Sequence, residues 1–335
     1  MLDPNFWKEK TVVVTGGFGF LGNRVCLNLT RKGAKVAVLS RRMGCDLRSR
    51  FCAQYYFAFA KPDIVINCAA YQGGIGFQNT APADIFDSNI QICLNTLWAS
   101  WIARTKKYVN IIPNCVYPGY TMRGTMREKQ LFEGSLHPTA KYYAMTKRAA
   151  IVQAQAYREQ FRFNAISLVL TNLYGPREHF SLHRAHALAA LVRKFYEAQR
   201  DNVPRVMVWG TGKPVREWLY VDDAAEGVVR AAELYNEGGP LNIAVGRGLT
   251  INTLAELIKD VVGYKGEIVY DTTKPDGAAR KIEDIAKMKE VLDWEPQIPL
   301  KAGIEKTLVW FVENYDEIVA GEEQSLPKPT LPKLA

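Results

Sequence analysis

A tyrosine and a lysine four residues apart, Tyr143 and Lys147, are the first residues here whose chemistry and spacing suggest a reaction. The spacing predicts that both side chains share one face of a helix over residues 139–161. A phenol, whose free pKa is about 10, becomes a useful proton donor and acceptor when a neighbouring ammonium lowers that pKa. The pair therefore predicts an acid/base device. Because a chain with 16 tyrosines contains about one such pair by chance, the rest of the sequence must decide.

The composition is typical of a globular protein with a large core and two subdomains, since the 335 residues are 48% hydrophobic and 23% charged. No run reaches the roughly 18 apolar residues of a membrane span, and the N-terminus has no signal-peptide segment. We therefore expect a cytoplasmic protein with no membrane partner. The net charge of +9 is dispersed along the chain, which favours small anionic ligands over nucleic acid.

The six cysteines all lie within the first 115 residues of the chain. Their spacing matches neither a Cys-x-x-Cys motif nor a Cys/His zinc site. We therefore expect no disulfides and no metal, with most of the cysteines reduced and in the core.

A glycine-rich turn follows the first apolar strand, which we predict over residues 11–15. Gly16, Gly19 and Gly22 lie between that strand and an amphipathic segment that extends to residue 31. Glycines at this spacing let the backbone turn tightly and approach a pyrophosphate, while the helix N-terminus offers free N–H groups to the anion. The turn predicts a dinucleotide site. The other residues expected in it are Phe18, Phe20 and Leu21.

The end of the second predicted strand, over residues 35–39, indicates which dinucleotide binds. Ser40, Arg41 and Arg42 stand where a cofactor with a free ribose 2′-hydroxyl needs an acidic residue, and arginines suit a 2′-phosphate instead. We therefore expect NADP(H) rather than NAD(H), although the arginines also fit a solvated surface pair. Asp46 and Leu47 follow within reach of the adenine, and Asp46 equally fits a helix cap.

Strands and helices alternate through the first half, which predicts an α/β protein with a Rossmann-type, doubly wound parallel sheet. Strands are expected over residues 63–67, 108–112 and 164–170, and helices over residues 83–103 and 139–161. The loop after the third strand contains Ala69 and Ala70. It lies at the carboxyl edge of the sheet, where ligands of such sheets bind.

The second half predicts a smaller α/β substrate lobe that interleaves with the first domain. We assign residues 1–175 to an NADP-binding domain with returning segments near 215–245, residues 176–320 to the lobe, and residues 321–335 to a loose tail. Helices are expected near residues 185–199 and from Asp222, and strands over 206–209 and 217–221. Residues 218–220 and 241–245 are predicted as strands that return to the main sheet.

A set of short motifs is spread between about residue 11 and about residue 314. TGGFGFLG at residues 15–22, the Tyr143/Lys147 pair and NLYGP at 172–176 together resemble the extended short-chain dehydrogenase/reductase family. Within it, the sequence is similar to the GDP-L-fucose synthases. That narrower resemblance rests on YQGGI (71–75), CVYP (115–118), VWG (208–210), PVRE (214–217), VDD (221–223), VGYKG (262–266) and KPDG (274–277).

The resemblance implies an enzyme that inverts the carbons beside the ketone of a GDP-4-keto-6-deoxy sugar, a hexose or a heptose, and then reduces the ketone with NADPH. It implies that Cys115 is the base and His186 the acid of the epimerisation. Tyr143 would protonate the C4 oxygen, while Lys147 lowers its pKa and holds the nicotinamide ribose. Without the resemblance, Cys115 fits a buried apolar residue and His186 a structural contact.

The resemblance further implies a GDP-sugar site and a homodimer formed through the long helices. Asn172 is expected to contact both cofactor and substrate. For each expected substrate contact, a surface salt bridge or core packing is the alternative. The other residues expected to bind the substrate are Arg193, Lys194, Trp209, Arg216 and Lys274.

One position departs from the family pattern, because Pro113 stands four residues before Tyr117, where the family has Ser or Thr. Proline has neither a hydroxyl nor an N–H to donate to the ketone oxygen. Asn114 takes over that task only if the chain turns at the proline, since neighbouring strand residues point to opposite faces. Two other functions stay open: an epimerase that retains NAD(P) without net reduction, and a non-catalytic regulator that binds NADP(H) or a nucleotide sugar.

Overall fold

The central sheet has six parallel strands, described with the rest of the fold from a computed structural model over residues 3–120, 124–182 and 184–325. Its strands, numbered along the whole chain, are β1 (Thr11–Thr15), β2 (Lys35–Leu39), β3 (Ile64–Asn67), β4 (Lys107–Pro113), β5 (Ala165–Leu170) and β10 (Pro240–Ile243). They lie in the order β10-β5-β4-β3-β1-β2. The strand order reverses between β1 and β3, and a crevice for a ligand opens at such a point.

The first strand shows why the sheet is buried on both faces. Val12 and Val14 pack into the core on one side and Val13 into the core on the other, and all three are fully buried. Side chains of a strand alternate between faces, so a continuous valine run suits a parallel strand that is covered on both sides.

Helices cover both faces of this sheet. On one face lie α1 (Phe20–Arg31) and α7 (Val221–Leu234), which share a core cluster with β1, β3 and β5. On the other face, α2 (Arg50–Ala60), α4 (Pro82–Ile102) and α5 (Lys141–Phe161) pack side by side. The short helix α3 (Ile75–Thr80) precedes α4. The predicted doubly wound sheet is therefore confirmed.

The second lobe has a core of its own, centred on Phe195, Ile258 and Phe311. Its helices are α6 (Ala187–Arg200), α8 (Ile251–Val262), α10 (Leu300–Glu313) and α11 (Tyr315–Ser325), whereas α9 (Ala286–Leu292) packs on α7 and β10 of the first domain. Its short strands are β6 (Asn172–Tyr174), β7 (Arg205–Trp209), β8 (Val215–Arg216), β9 (Trp218–Tyr220), β11 (Leu249–Thr250), β12 (Glu267–Asp271) and β13 (Arg280–Lys281). Because α7 and β10 belong to the main layers, the chain passes between the two cores.

One of the two predicted returning strands is wrong. Residues 240–243 do return to the main sheet, as β10 beside β5. Residues 218–220 instead pair in parallel with β6, outside the main sheet. After Thr171 the chain diverges from the main sheet, so the backbone hydrogen-bonding groups of β6 are available to pair with residues 218–220. The predicted strand over residues 217–221 is also shorter at both ends, since β9 begins at Trp218 and α7 begins at Val221.

The ends of two other predicted segments also differ. The helix predicted over residues 139–161 begins at Lys141, after a 3₁₀ turn at Pro138–Ala140. The predicted tail begins as helix, since α11 continues to Ser325, and residues 326–335 lie outside the described residues.

The described ranges contain no helix long and apolar enough to cross a membrane. Within them, His, Cys, Asp and Glu side chains form no group of three or more that could hold a metal ion. All six cysteines are free thiols.

Candidate active site

The predicted pair lies near the N-terminus of α5, with both side chains buried. The Lys147 ammonium is 5.8 Å from the centroid of the Tyr143 ring and donates a hydrogen bond of 3.2 Å to the carbonyl of Ile111 in β4. The helix therefore brings the two groups together, as the spacing predicts, and the lysine is tied to the sheet.

The predicted lowering of the Tyr143 pKa is wrong for this structure. Burial raises the pKa of the phenol well above its ordinary value, and the thiols of Cys115 and Cys93 add to the shift. Phe77 and Ile85 pack around the ring and exclude the water that would solvate a phenolate. Tyr143 is thus held as a neutral phenol, the form that donates a proton.

Cys115 lies beside Tyr143 at the carboxyl edge of the sheet. It occupies a 3₁₀ turn, Asn114–Val116, that begins as β4 ends at Pro113, and it packs into the same cluster as the tyrosine ring. Burial raises the pKa of its thiol to about 11, while the ammonium groups of Lys281 and Lys147 oppose that shift. A base at this position therefore depends on nearby cations to form a thiolate.

The described hydrogen bonds join the Asn114 amide to Thr171 and not to Tyr143, and the expectation that this amide replaces the missing hydroxyl stays a prediction. The chain does turn at Pro113, but the Asn114 amide is directed toward the hydroxyl of Thr171, 3.4 Å away at the end of β5. The proline pairs with Leu170 in the sheet register, so the turn directs the next side chain toward β5.

His186 precedes α6 on a loop that rests against the first domain. The amide of Gly74 donates to the carbonyl of Arg184, and the Arg184 guanidinium lies 4.6 Å from the centroid of the Phe77 ring. Phe77 in turn packs in the cluster of Tyr143 and Cys115. Burial, with a smaller effect of His179, lowers the pKa of the His186 imidazole to about 4. The ring is therefore neutral at pH 7.

A cavity of about 920 Å³ opens beside β1 and β2, where the dinucleotide site is predicted. The glycine turn forms its floor: Gly16 has a φ of +64°, and a Cβ added to Gly22 would overlap the carbonyl oxygen of Gly16. This close approach packs α1 onto the turn, which is the role of the third glycine in a dinucleotide-binding turn. The predicted residues that line the cavity are Gly16, Phe18, Gly19, Phe20, Ser40, Arg41, Arg42, Asp46, Leu47, Ala69 and Ala70.

The rim of this cavity fits a 2′-phosphate. Arg41 and Arg42 are exposed in a 3₁₀ turn after β2, and the Ser40 hydroxyl is buried with no hydrogen-bond partner among the described residues. A hydroxyl and two guanidinium groups are suitable donors to a phosphate. Asp46 caps no helix, because Ser49 caps α2 and the Asp46 carboxylate is paired with Arg48.

Several predicted cofactor residues do not line the cavity. Leu21, on α1, packs into the core, and Gly22, on the same helix, lies against the carbonyl of Gly16. Tyr143, Lys147 and Asn172 lie outside the lining, and the Asn172 amide donates to the carbonyl of Glu217 at 3.0 Å.

Sequence reasoning missed another part of the lining. The cavity is also bounded by Arg48, Arg177, His179, Trp310, Asn314 and Glu317. The last three belong to the α10–α11 region, far from the glycine turn in sequence. No sequence motif near them predicts that they line this cavity.

Three of the predicted substrate residues meet at the end of β7. The ammonium groups of Lys194 and Lys274 lie 5.4 Å and 5.6 Å from the centroid of the half-exposed Trp209 ring. Burial lowers the pKa of Lys194. An aromatic face between two cations suits a base or sugar joined to a diphosphate.

The other two predicted substrate cations differ in their surroundings. Arg216, on β8, is largely buried, and burial lowers the pKa of its guanidinium to about 10, with Asp276 opposing. Arg193 is committed to the second lobe, since it pairs with Glu197 at 2.7 Å and donates to the carbonyl of Phe180. Neither of these two contacts involves the Trp209 cluster.

Comparisons with known proteins extend over nearly the whole chain. The sequence model of the NAD dependent epimerase/dehydratase family matches residues 12–246. The "Putative GDP-L-fucose synthase 2" of Arabidopsis thaliana is 40% identical over 316 residues, which are 94% of this chain and 96% of that protein.

Two solved structures have the same fold. A GDP-L-fucose synthetase from Naegleria fowleri bound to NADP has a TM-score of 0.84 and 28% identity, covering 92% of this chain and 96% of that one. A GDP-6-OMe-4-keto-L-xylo-heptose reductase from C. jejuni has a TM-score of 0.86 and 25% identity, covering 93% and 99%.

Proposed function

The chain belongs to the NAD dependent epimerase/dehydratase family, and we propose that it is an NADPH-dependent 3,5-epimerase/4-reductase of a GDP-4-keto-6-deoxy sugar. The observation that carries this proposal is the packing of Cys115 against Tyr143 at the carboxyl edge of the sheet. A thiol and a phenol in one cluster serve two reactions at neighbouring carbons, proton abstraction beside a ketone and proton delivery to its oxygen.

The epimerisation depends on the acidity of the hydrogens at C3 and C5 of the sugar, since the C4 ketone stabilises the enolate that each deprotonation forms. In this proposal the Cys115 thiolate removes the proton from one face of the sugar and His186 returns a proton on the other. The neutral His186 imidazole gains a proton more readily when a diphosphate lies nearby, because negative charge raises its pKa.

The reduction needs a proton at the C4 oxygen as the ketone is consumed. Burial keeps the Tyr143 phenol protonated, and Lys147 stabilises the phenolate once the proton has left. The glycine turn, Ser40, Arg41 and Arg42 would hold the NADPH. When bound, the cofactor supplies the hydride for the ketone.

The GDP-sugar would lie between the sheet edge and the second lobe in this proposal. Trp209 with Lys194 and Lys274 is the best site for the nucleotide diphosphate, because it offers a ring face and two cations together. In this proposal Arg216, on β8 of the neighbouring three-stranded sheet, adds a third positive charge.

We also propose a homodimer and a cytoplasmic location. The long helices α4 and α5 expose large apolar side chains, as expected of a surface that a second copy covers. These residues are Leu94, Ile102, Met145, Val152 and Phe161. The six free thiols fit a reducing compartment.

A solvent-exchange experiment tests the function. The protein is incubated in D₂O with NADPH and a GDP-4-keto-6-deoxy hexose or heptose, while product mass and NADPH absorbance are followed. We expect one or two deuterium atoms in the product and NADPH consumption, with Cys115→Ala losing the exchange. Full deuterium incorporation by Cys115→Ala would remove that residue from the role of base.

A second function, epimerisation without net reduction, is favoured by one observation only. Pro113 supplies no donor at the ketone, and the Asn114 amide is directed to Thr171 instead. Ready deuterium exchange without NADPH consumption for every 4-keto sugar tested would establish that function in place of the first.

A further inference from the structure

A buried lysine of the second lobe reaches the turn that carries Cys115. Lys281 lies on β13 and is only 5% exposed. Its ammonium donates to three backbone carbonyls, those of Asn114 at 3.3 Å, Tyr117 at 3.1 Å and Pro118 at 3.3 Å. These carbonyls bracket Cys115 in the chain, so one cation fixes the turn on both sides of the thiol.

A buried ammonium with three carbonyl acceptors is fully hydrogen-bonded, which offsets the cost of removing it from water. Lys281 is therefore a structural residue of the protein interior, held by specific hydrogen bonds, and not a mobile surface lysine. It is also a contact between the lobe and the catalytic edge of the sheet, since β13 pairs with β8, which carries Arg216.

We propose that Lys281 is a positioning residue for Cys115, which holds the 3₁₀ turn in place and supplies the positive charge that stabilises the thiolate. The proposal deepens the proposed function and rests on the role of Cys115 as base. The thiol first releases its proton to solvent. The thiolate then takes a proton from the carbon beside the ketone and becomes a thiol again, so that charge and atoms balance.

Two other cations near the thiol are also bound to the backbone, and one of them, Arg148, reaches the turn that carries Cys115. Lys147 donates to Ile111, and Arg148 donates to Val116, Leu131 and Gly134. Among these cations Lys281 has the largest opposing effect on the raised pKa of Cys115. Burial lowers the pKa of Lys281 itself to about 8, with the Cys115 thiol opposing and Arg216 and Arg148 adding to the shift. Among the described residues, the thiol also interacts with the Tyr143 phenol.

The test measures the thiolate directly, without substrate. The unmodified protein, Lys281→Met and Lys281→Gln are treated with iodoacetamide from pH 6 to pH 10, and the labelling rate of the peptide that contains Cys115 is measured by mass spectrometry. Since a nearby opposite charge typically shifts a pKa by about 1–3 units, we expect both variants to label Cys115 at least about 10-fold more slowly at pH 7.5.

The two variants separate charge from hydrogen bonding, because glutamine retains N–H donors for the carbonyls and methionine does not. Arg280→Gln is the matched control, since it removes a positive charge from the adjacent, exposed residue of the same strand. Thermal unfolding confirms that each variant is folded, and Lys281→Gln serves if Lys281→Met does not fold. An unchanged Cys115 labelling profile in a folded Lys281 variant would overturn the proposal.

Substrate kinetics then distinguish this proposal from the function on which it rests. The Lys281 variants should lower the rate of deuterium exchange at saturating substrate and move its pH profile upward. A raised KM with an unchanged pH profile would make Lys281 a substrate ligand and overturn the proposal. If Cys115→Ala exchanges deuterium fully while Lys281→Gln still slows labelling, the role of Cys115 as base fails and the effect of Lys281 on its thiol stands.

Discussion

Gly74 and Ala185 meet with no room for a side chain between them: a Cβ added to Gly74 would overlap the carbonyl oxygen of Ala185. The contact joins the loop after β3 to the loop that ends at His186. The distance between the proposed acid and the catalytic edge of the sheet is therefore set by a glycine that belongs to neither catalytic element.

Gly74→Ala should displace the His186 loop while leaving the cofactor cavity intact. Because a misplacement of about 1 Å can cost about 10²-fold in rate, we expect deuterium exchange to fall about 10- to 100-fold with little change in NADPH affinity. Gly239→Ala is the matched control, since the nearest atom to its added methyl would be 3.8 Å away. Equal losses of exchange in both variants would show that the contact has no special role.

The cofactor preference depends on the two exposed arginines after β2. We expect NADPH to bind more tightly than NADH, because Arg41 and Arg42 can each give the 2′-phosphate a charge-assisted hydrogen bond worth about 1.5–3 kcal/mol. The Arg41→Ala, Arg42→Ala double variant should lose this preference in fluorescence titrations. Arg205→Ala, an exposed arginine of the second lobe, is the control. Equal affinities for both dinucleotides in the unmodified protein would contradict the assignment.

Acid should destabilise the fold through His186. Its folded-state pKa of about 4 lies below the unfolded value of 6.5, so the unfolded chain binds the proton more tightly and stability falls as the pH drops through this window. At pH 4.5 the loss from this group is about 2 to 3 kcal/mol. Urea unfolding at pH 7.5 and pH 4.5 should show a smaller acid loss for His186→Gln, and an identical loss would mean that the imidazole is not buried as described.

The glycine turn and the parallel sheet were predictable because their signals are local. The valines of β1, the glycines at positions 16, 19 and 22, and the alternation of strand and helix lie within short windows of sequence. The spacing of Tyr143 and Lys147 likewise sufficed to place both on one helix face. Each of these predictions concerns residues whose geometry is set by their own neighbours in the chain.

The predictions that failed depend on distant residues. The high pKa of Tyr143 results from Phe77 and Ile85, which reach it from α3 and α4. The pairing of residues 218–220 with β6 was decided by where β6 leaves the main sheet. No sequence motif predicts the position of Lys281 or of the cavity residues in the α10–α11 region. Burial and long-range pairing are properties of the folded chain, which spacing alone does not specify.

Pro113 affects the expected rate of ketone reduction, because it stands where the family has a hydroxyl donor. It ends β4 in an extended conformation, with φ −82° and ψ 154°, that a serine adopts equally well. Its replacement therefore restores a hydroxyl without bending the strand. The loss of proline should cost about 0.4–1 kcal/mol of stability through the unfolded chain, which a thermal unfolding measurement will detect.

Pro113→Ser should raise the rate of hydride transfer, because a positioned donor to a developing oxyanion is typically worth about 10² to 10³ in rate. Deuterium exchange, which depends on Cys115 rather than on this position, should change little. Single-turnover NADPH oxidation and product mass measured on the same sample separate the two steps. Asn114→Ala is the control: its amide is directed to Thr171, so it should leave hydride transfer within about threefold of the unmodified rate. If Pro113→Ser leaves NADPH oxidation unchanged while Asn114→Ala abolishes it, the amide and not the missing hydroxyl governs the ketone.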